Sequence, residues 1–201
     1  MTGIAGAGLD GLVATVHPPG MTIRDRESLI RAVESGLRPE WLFFWGHRGP
    51  PDQAGCLSQW YPSPFEVEGD RYPTAEHWMM AGKARLFGDA EMLEQILAAD
   101  SPGAAKAFGR KVRGFDPETW DAHKWDLVVE GNVHKFGQNE VMGGFLRGTG
   151  NRVLVEASPP DRIWGIGLGA KDEKARNPRL WNGQNLLGFA LMEARERLFR
   201  G

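Results

Sequence analysis

The stretch PTAEHWMMAGKARLF, residues Pro73 to Phe87, repeats apolar side chains at helical spacing and sets two charges inside the stripe. At about 100° per residue, with Glu76 as the origin, Phe87 falls at about 20°, Met80 at about 40° and Met79 at about −60°. Lys83 falls at about −20°, so a carboxylate and an amine share the centre of the apolar arc. Thr74 supplies a capping oxygen for this helix and Gly88 ends it. A second helix opens at Asp89 and runs to about Ala98. Ser101-Pro102 and Asp116-Pro117 each put a capping oxygen ahead of a proline at the first helical position, and the helix from Pro117 reaches about Phe136.

Upstream, an amphipathic helix is expected from Arg24 to Ser35, stopped by Gly36. WLFFW (Trp41–Trp45) is strand-like and runs into a Gly/Pro-rich loop from Gly46 to Gly55. PFEVEGDRYPT alternates apolar and polar positions around Glu68-Gly69-Asp70, the pattern of a β-hairpin. Downstream, RVLVEAS (Arg152–Ser158) reads as a strand, SPPDRIWGIGLG as a turn-rich loop and NLLGFALMEARERLF as a terminal amphipathic helix. No repeat or low-complexity linker interrupts the pattern. The expectation is one α+β domain, mostly helical, with a small antiparallel hairpin: a flexible tail over residues 1–20, a helical extension over 21–40, and the main domain over 41–201.

Composition narrows the function. With 201 residues, 41% hydrophobic and 25% charged, the chain suits one soluble domain with a real core. Its 24 Lys and Arg against 26 Asp and Glu leave a net charge of −2, which argues against a broad nucleic-acid or membrane surface. A single cysteine, Cys56, excludes an internal disulfide and a cysteine-based metal cluster and fits a cytoplasmic protein. The Gly-rich first twenty residues lack the basic start of a signal peptide. The five histidines show no HxxH or HExxH spacing, so a metal-free mechanism fits better. Eight tryptophans are many for this length, and they serve cores and sites that stack planar rings.

An uncompensated charge in a core costs several kcal/mol, so Glu76 and Lys83 need a reason to be there. A structural ion pair, snorkelling side chains or a first-turn anion on the helix dipole would each supply one. Against a direct pair, seven residues rise by about 10.5 Å, whereas helical pairs use spacings of three or four. Two charges so spaced on an apolar floor can face a ligand between them. Asp161 and Arg162, ahead of Ile163-Trp164-Gly165-Ile166-Gly167, add an acidic-aromatic-glycine loop directly after a strand. That loop lacks the GxGxxG spacing and is not followed by a helix start, so it is not a Rossmann turn. GRKVRG (Gly109–Gly114) gathers three positive charges that could meet phosphate, or simply solvate a helix end.

Together YPSPFEVEGDRYPTAEHWMMAGKARLFGD, AKAFGRKVRGFDPETWDAHKWDLV, GNVHKFGQNEVMGGFLRGTGNRVLVEASPPDRIWGIGL and NLLGFALMEARERL resemble the YbiA-like family, also called the NADAR (NAD and ADP-ribose) superfamily. The resemblance covers roughly Phe43 to Leu198. Members with an assigned activity are N-glycosidases. Some cut the ribose–nitrogen bond of phosphorylated ribosylaminopyrimidine intermediates of riboflavin synthesis, and another branch removes ADP-ribose from modified guanine. The resemblance implies that Glu76 is the functional glutamate, Lys83 the helix lysine, and Asp161 with Trp164 and Gly165 the acidic-Trp-Gly loop. It implies that Trp120 lies in the DxxxW segment and that Arg110, Gln138 and Asn185 fall on motif positions. Enterobacterial members carry an acidic residue after Trp-Gly where this chain has Ile166, so their substrate preference need not transfer.

Breaking a ribose–nitrogen bond builds positive charge on the sugar, which an ionised carboxylate stabilises. The expected roles are Glu76 as that carboxylate and water activator and Asp161 as the acid. Trp120 and Trp164 would sandwich the base, with Arg110 on phosphate. No cofactor or membrane partner is implied, and the substrate is a phosphorylated ribonucleoside or an ADP-ribosylated guanine. Lys83 opens a second route, in which a neutral amine attacks the open-chain sugar to form an imine. A binding module that holds NAD or ADP-ribose uncleaved, and a structural domain with a buried Glu76–Lys83 bridge, stand as the other classes.

Overall fold

In the computed structural model, which describes residues 23–200, strand β1 (Trp41–Phe44) lies parallel to strand β4 (Val153–Glu156). Trp41 pairs with Val153 and Phe44 with Glu156. Val153, Leu154 and Val155 are all buried, as expected of a short apolar strand covered on both faces. Both strands were legible as strands, but their partnership joins distant parts of the chain and leaves no local signature. The small sheet expected from the sequence is also present: β2 (Phe65–Val67) and β3 (Asp70–Tyr72) form an antiparallel hairpin, with Phe65 opposite Tyr72. The tail expected over residues 1–20 lies outside the described residues.

Between the parallel strands runs a helical body. Helix α2 (Ala75–Leu86) packs against α3 (Ala90–Leu97), α4 (Pro102–Gly109) and α5 (Pro117–Gln138), while α7 (Leu186–Phe199) covers β4 and lies along α5. The caps are those the sequence offers: Thr74, Asp89, Ser101 and Asp116 each accept a backbone N–H of the first turn. Helix α6 (Glu140–Gly148) was not expected, because EVMGGFLRG carries two adjacent glycines that lower helix propensity. The structure supplies a reason for one of them. A Cβ on Gly143 would meet the Phe136 carbonyl oxygen at 2.5 Å, so glycine lets α6 fold tightly onto the end of α5.

Helix α1 (Arg26–Glu34) shows that the extension is fastened to the body. Its Leu29, Ile30 and Ala32 are buried, and the Arg26 guanidinium donates to the carbonyls of Pro178 (2.7 Å) and Arg179 (3.0 Å).

Candidate active site

The first turn of α2 carries the site's most unusual group. The Glu76 N–H donates to the Gln59 carbonyl at 3.0 Å, and the Gln59 side chain donates to Asn132 of α5 at 3.1 Å. These bonds fix the segment before the hairpin against α2 and bring Trp60 next to Glu76. Glu76 is 2% exposed and its Oε1 has no hydrogen-bond partner. Burial pushes its carboxyl up to about 7, and the Asp161 anion adds to that. Lys106, the Trp60 indole and Arg110 pull the other way.

A second orphan lies nearby. Glu156 closes β4, with its N–H held by Asn185 Oδ1 at 2.9 Å and its carbonyl taken by the Ile166 N–H at 2.9 Å. Its Oε2 is buried without a partner. Burial first, and the anions of Asp161 and Glu76 after it, push this carboxyl up to about 8, opposed by Lys106. One lysine therefore serves two carboxyls. Lys106 Nζ also stands 5.7 Å from the Trp60 ring centroid, and the His47 ring centroid lies 5.7 Å from that of Trp60, tilted by 49°. A buried carboxyl and a half-buried one with a shared cation can divide acid and base roles between them.

The loop after β4 is braced by its own acid. Asp161 Oδ1 accepts from the N–H groups of Ile163 (2.9 Å), Trp164 (2.8 Å) and Gly165 (3.4 Å). A Cβ on Gly165 would sit 2.9 Å from the Glu156 carbonyl oxygen and 3.1 Å from that of Asp161, so this glycine seats the loop on the end of β4. Asn185, fully buried with a left-handed φ of 58°, donates from Nδ2 to the Leu154 carbonyl at 2.9 Å while its Oδ1 holds the Glu156 N–H. It acts as one more strand residue beside β4 and thereby aims Glu156. Gln138 is spent elsewhere: its amide exchanges two 2.9 Å bonds with the Glu66 backbone, tying the end of α5 to β2.

Lys83 and Trp120 form a neighbouring cluster. Lys83 Nζ donates to the Gly109 carbonyl at 2.8 Å and lies 4.0 Å from the Phe115 ring centroid and 5.8 Å from that of Trp120. Burial lowers its pKa. Among the described residues no ion pair joins Lys83 to Glu76, so the buried-bridge expectation fails: the rise along α2 separates them, and the cations acting on Glu76 come from α4 and its cap. Nor does a ring pair join Trp120 to Trp164; Trp120 sits on α5 with Lys83, while Trp164 packs half-buried against the core. Arg110 is exposed at the α4 C-cap, within range of Glu76. Arg113, from the same basic run, is committed to Asp89 (3.0 Å) and Glu91 (3.0 Å).

Glu156, Lys106 and Trp60 were not singled out from the sequence. Glu156 ends an apolar strand, where a charge is ordinary, and Lys106 sits on a helix that looked merely capped and short. No group of three or more His, Cys, Asp or Glu arranged to hold a metal ion occurs among the described residues, and no helix there is long and apolar enough to cross a membrane.

Comparison with known proteins adds to this geometry. The NADAR domain family model matches residues 43–199. An N-glycosidase of Acanthamoeba polyphaga mimivirus is 44% identical over 164 residues, covering 78% of this chain and 95% of its own length. The N-glycosidase YbiA of Escherichia coli is 31% identical over 147 residues, covering 73% of this chain and 83% of its own. A riboflavin biosynthesis protein of Vibrio vulnificus is 32% identical over 176 residues, which are 85% of this chain and 42% of that protein. The NMR structure of E. coli YbiA superposes with a TM-score of 0.61 at 29% identity, covering 78% of this chain and 83% of that one.

Proposed function

The chain belongs to the NADAR domain family, and on that premise we propose that it hydrolyses the ribose C1–nitrogen bond of phosphorylated ribosylaminopyrimidine intermediates of riboflavin synthesis. The coarser statement stands by itself: it is a hydrolase acting on N-glycosyl compounds, as its relatives named N-glycosidase are. One observation carries the mechanism, namely a Glu76 carboxyl that is buried, has an oxygen without a partner, and lies within the field of Lys106 and Arg110. A buried anion held by distant cations rather than by a direct ion pair is free to face a sugar that turns cationic.

In this reading Glu76 stabilises the cationic sugar and takes a proton from the attacking water. Trp60, with Lys106 and His47 beside its ring, offers a stacking face for the base, and Arg110 with Lys106 offers charge to the phosphate. Trp164 and Asp161 form the loop that closes the site over β4. The name of the Vibrio relative supports the riboflavin-type substrate. The decisive experiment is side-by-side base release from a ribosylaminopyrimidine 5-phosphate and from ADP-ribosylated guanosine. Faster release from the first supports the assignment, release only from the second moves it to ADP-ribosyl guanine, and two intact substrates under saturation turn it into a binding module.

A second reading rests on Lys83, whose burial among aromatic rings lowers its pKa and so favours a neutral, nucleophilic amine. Borohydride added during turnover separates the routes. A ribosyl adduct on Lys83 assigns the imine, and full turnover without an adduct assigns direct hydrolysis.

A further inference from the structure

We propose that Glu156, not Asp161, is the acid that protonates the departing nitrogen, working opposite Glu76 across the scissile bond; the inference rests on the N-glycosidase reading and deepens it. The geometry that singles out Glu156 is its orphaned oxygen. Oε2 is buried and unpartnered, while the rest of the residue is pinned: Asn185 holds its N–H and Ile166 its carbonyl. A carboxyl fixed at the backbone with one buried oxygen left over has no structural use for that oxygen. Glu76 Oε1 is in the same condition, and the two groups lie within each other's electrostatic reach. Asp161 is differently placed. Its Oδ1 already accepts from three backbone N–H groups, so this side chain is committed to bracing the loop.

The division of labour follows from the charges around each carboxyl. At Glu76, Lys106, the Trp60 indole and Arg110 favour the anion against Asp161 alone, whereas at Glu156 Lys106 alone is set against the anions of both Asp161 and Glu76. The proton of the pair therefore rests on Glu156. In the reaction the C1–N bond breaks with its electron pair going to nitrogen, and the Glu156 proton goes to that nitrogen. Water adds its oxygen to C1 and gives a proton to Glu76. Passage of that proton from Glu76 to Glu156, through water, restores the starting state, with free base and free ribose 5-phosphate as products.

The test compares leaving groups. Wild type, Glu156→Gln and Glu76→Gln are assayed on a ribosylaminopyrimidine 5-phosphate, whose base must be protonated to leave, and on 4-nitrophenyl riboside 5-phosphate, whose phenolate leaves unaided. Glu156→Gln should lose about 10²-fold or more on the first substrate and little on the second, while Glu76→Gln should fall on both. Thermal unfolding checks that each variant folds. Equal losses of Glu156→Gln on both substrates, or no loss on the first, each overturn the assignment. A wild-type enzyme that releases no base from the aminopyrimidine overturns the substrate reading instead.

Discussion

Replacing Glu76 by glutamine should make the fold more stable while silencing the enzyme. The carboxyl stands at about 7 against an ordinary 4.5 because burial disfavours its anion. At about 1.36 kcal/mol for each tenfold change in proton activity, keeping it ionised in the native state costs about 3 kcal/mol. The sign follows from which state holds the proton more tightly. The native carboxyl does, so the cost is absent below about pH 4.5, grows as pH rises, and is complete above about pH 7. An amide of the same shape never carries that cost, although its buried NH2 lacks a ready acceptor and gives back about 1–3 kcal/mol, which leaves a net gain of up to about 2 kcal/mol at pH 8. For a chain of this length that is up to about 8 °C in Tm. Calorimetry of wild type and Glu76→Gln at pH 5 and pH 8, alongside base-release assays, measures both halves. The expected result is a gain at pH 8, little gain at pH 5, and a loss in turnover of about 10²–10⁴. A variant that melts below wild type at pH 8, or gains equally at both values, refutes the reasoning.

Three further outcomes follow from the same cluster. The kcat/KM profile should be a narrow bell near neutrality, with an acid limb near 7 where the pair takes up its second proton and an alkaline limb near 8 where it loses its last, both values belonging to the coupled carboxyls; a flat profile from pH 6 to 9 contradicts it. Lys106→Met removes the cation that most favours the Glu76 anion, so the acid limb should move to higher pH, and an unmoved or lowered limb excludes Lys106 from the site. Asn185→Ala should destabilise by about 2–4 kcal/mol, since it orphans the Leu154 carbonyl and the Glu156 N–H and leaves alanine at a left-handed φ; urea unfolding showing less than about 1 kcal/mol would mean that water replaces the amide.

What could be read from the sequence was local. Thr74, Ser101 and Asp116 announced their helices because a cap needs only three neighbouring residues, and Glu76 betrayed itself by standing in an apolar arc. Lys83 satisfied the same local test, yet its amine finds Gly109 and Phe115, because a wheel gives direction but not which neighbouring helix waits there. Glu156 and Lys106 become unusual only when β4 is laid beside β1 and α4 beside α2, pairings that no window of adjacent residues contains. Asn185 looked like a motif polar residue near a ligand; its buried, left-handed backbone and strand-like amide are tertiary facts.

The parallel strand pair also sets a schedule. Phe44 and Glu156 become neighbours only after the entire helical body between them has been synthesised, and contacts so far apart along a chain close late and slowly. A nascent chain that has emerged as far as α5 holds Glu76 but none of the second carboxyl, the braced loop or the amide that aims them. The two carboxyls thus meet only once β4 has been made and Asn185, at the head of α7, has followed it, so a fragment that stops within α5 carries half of the pair.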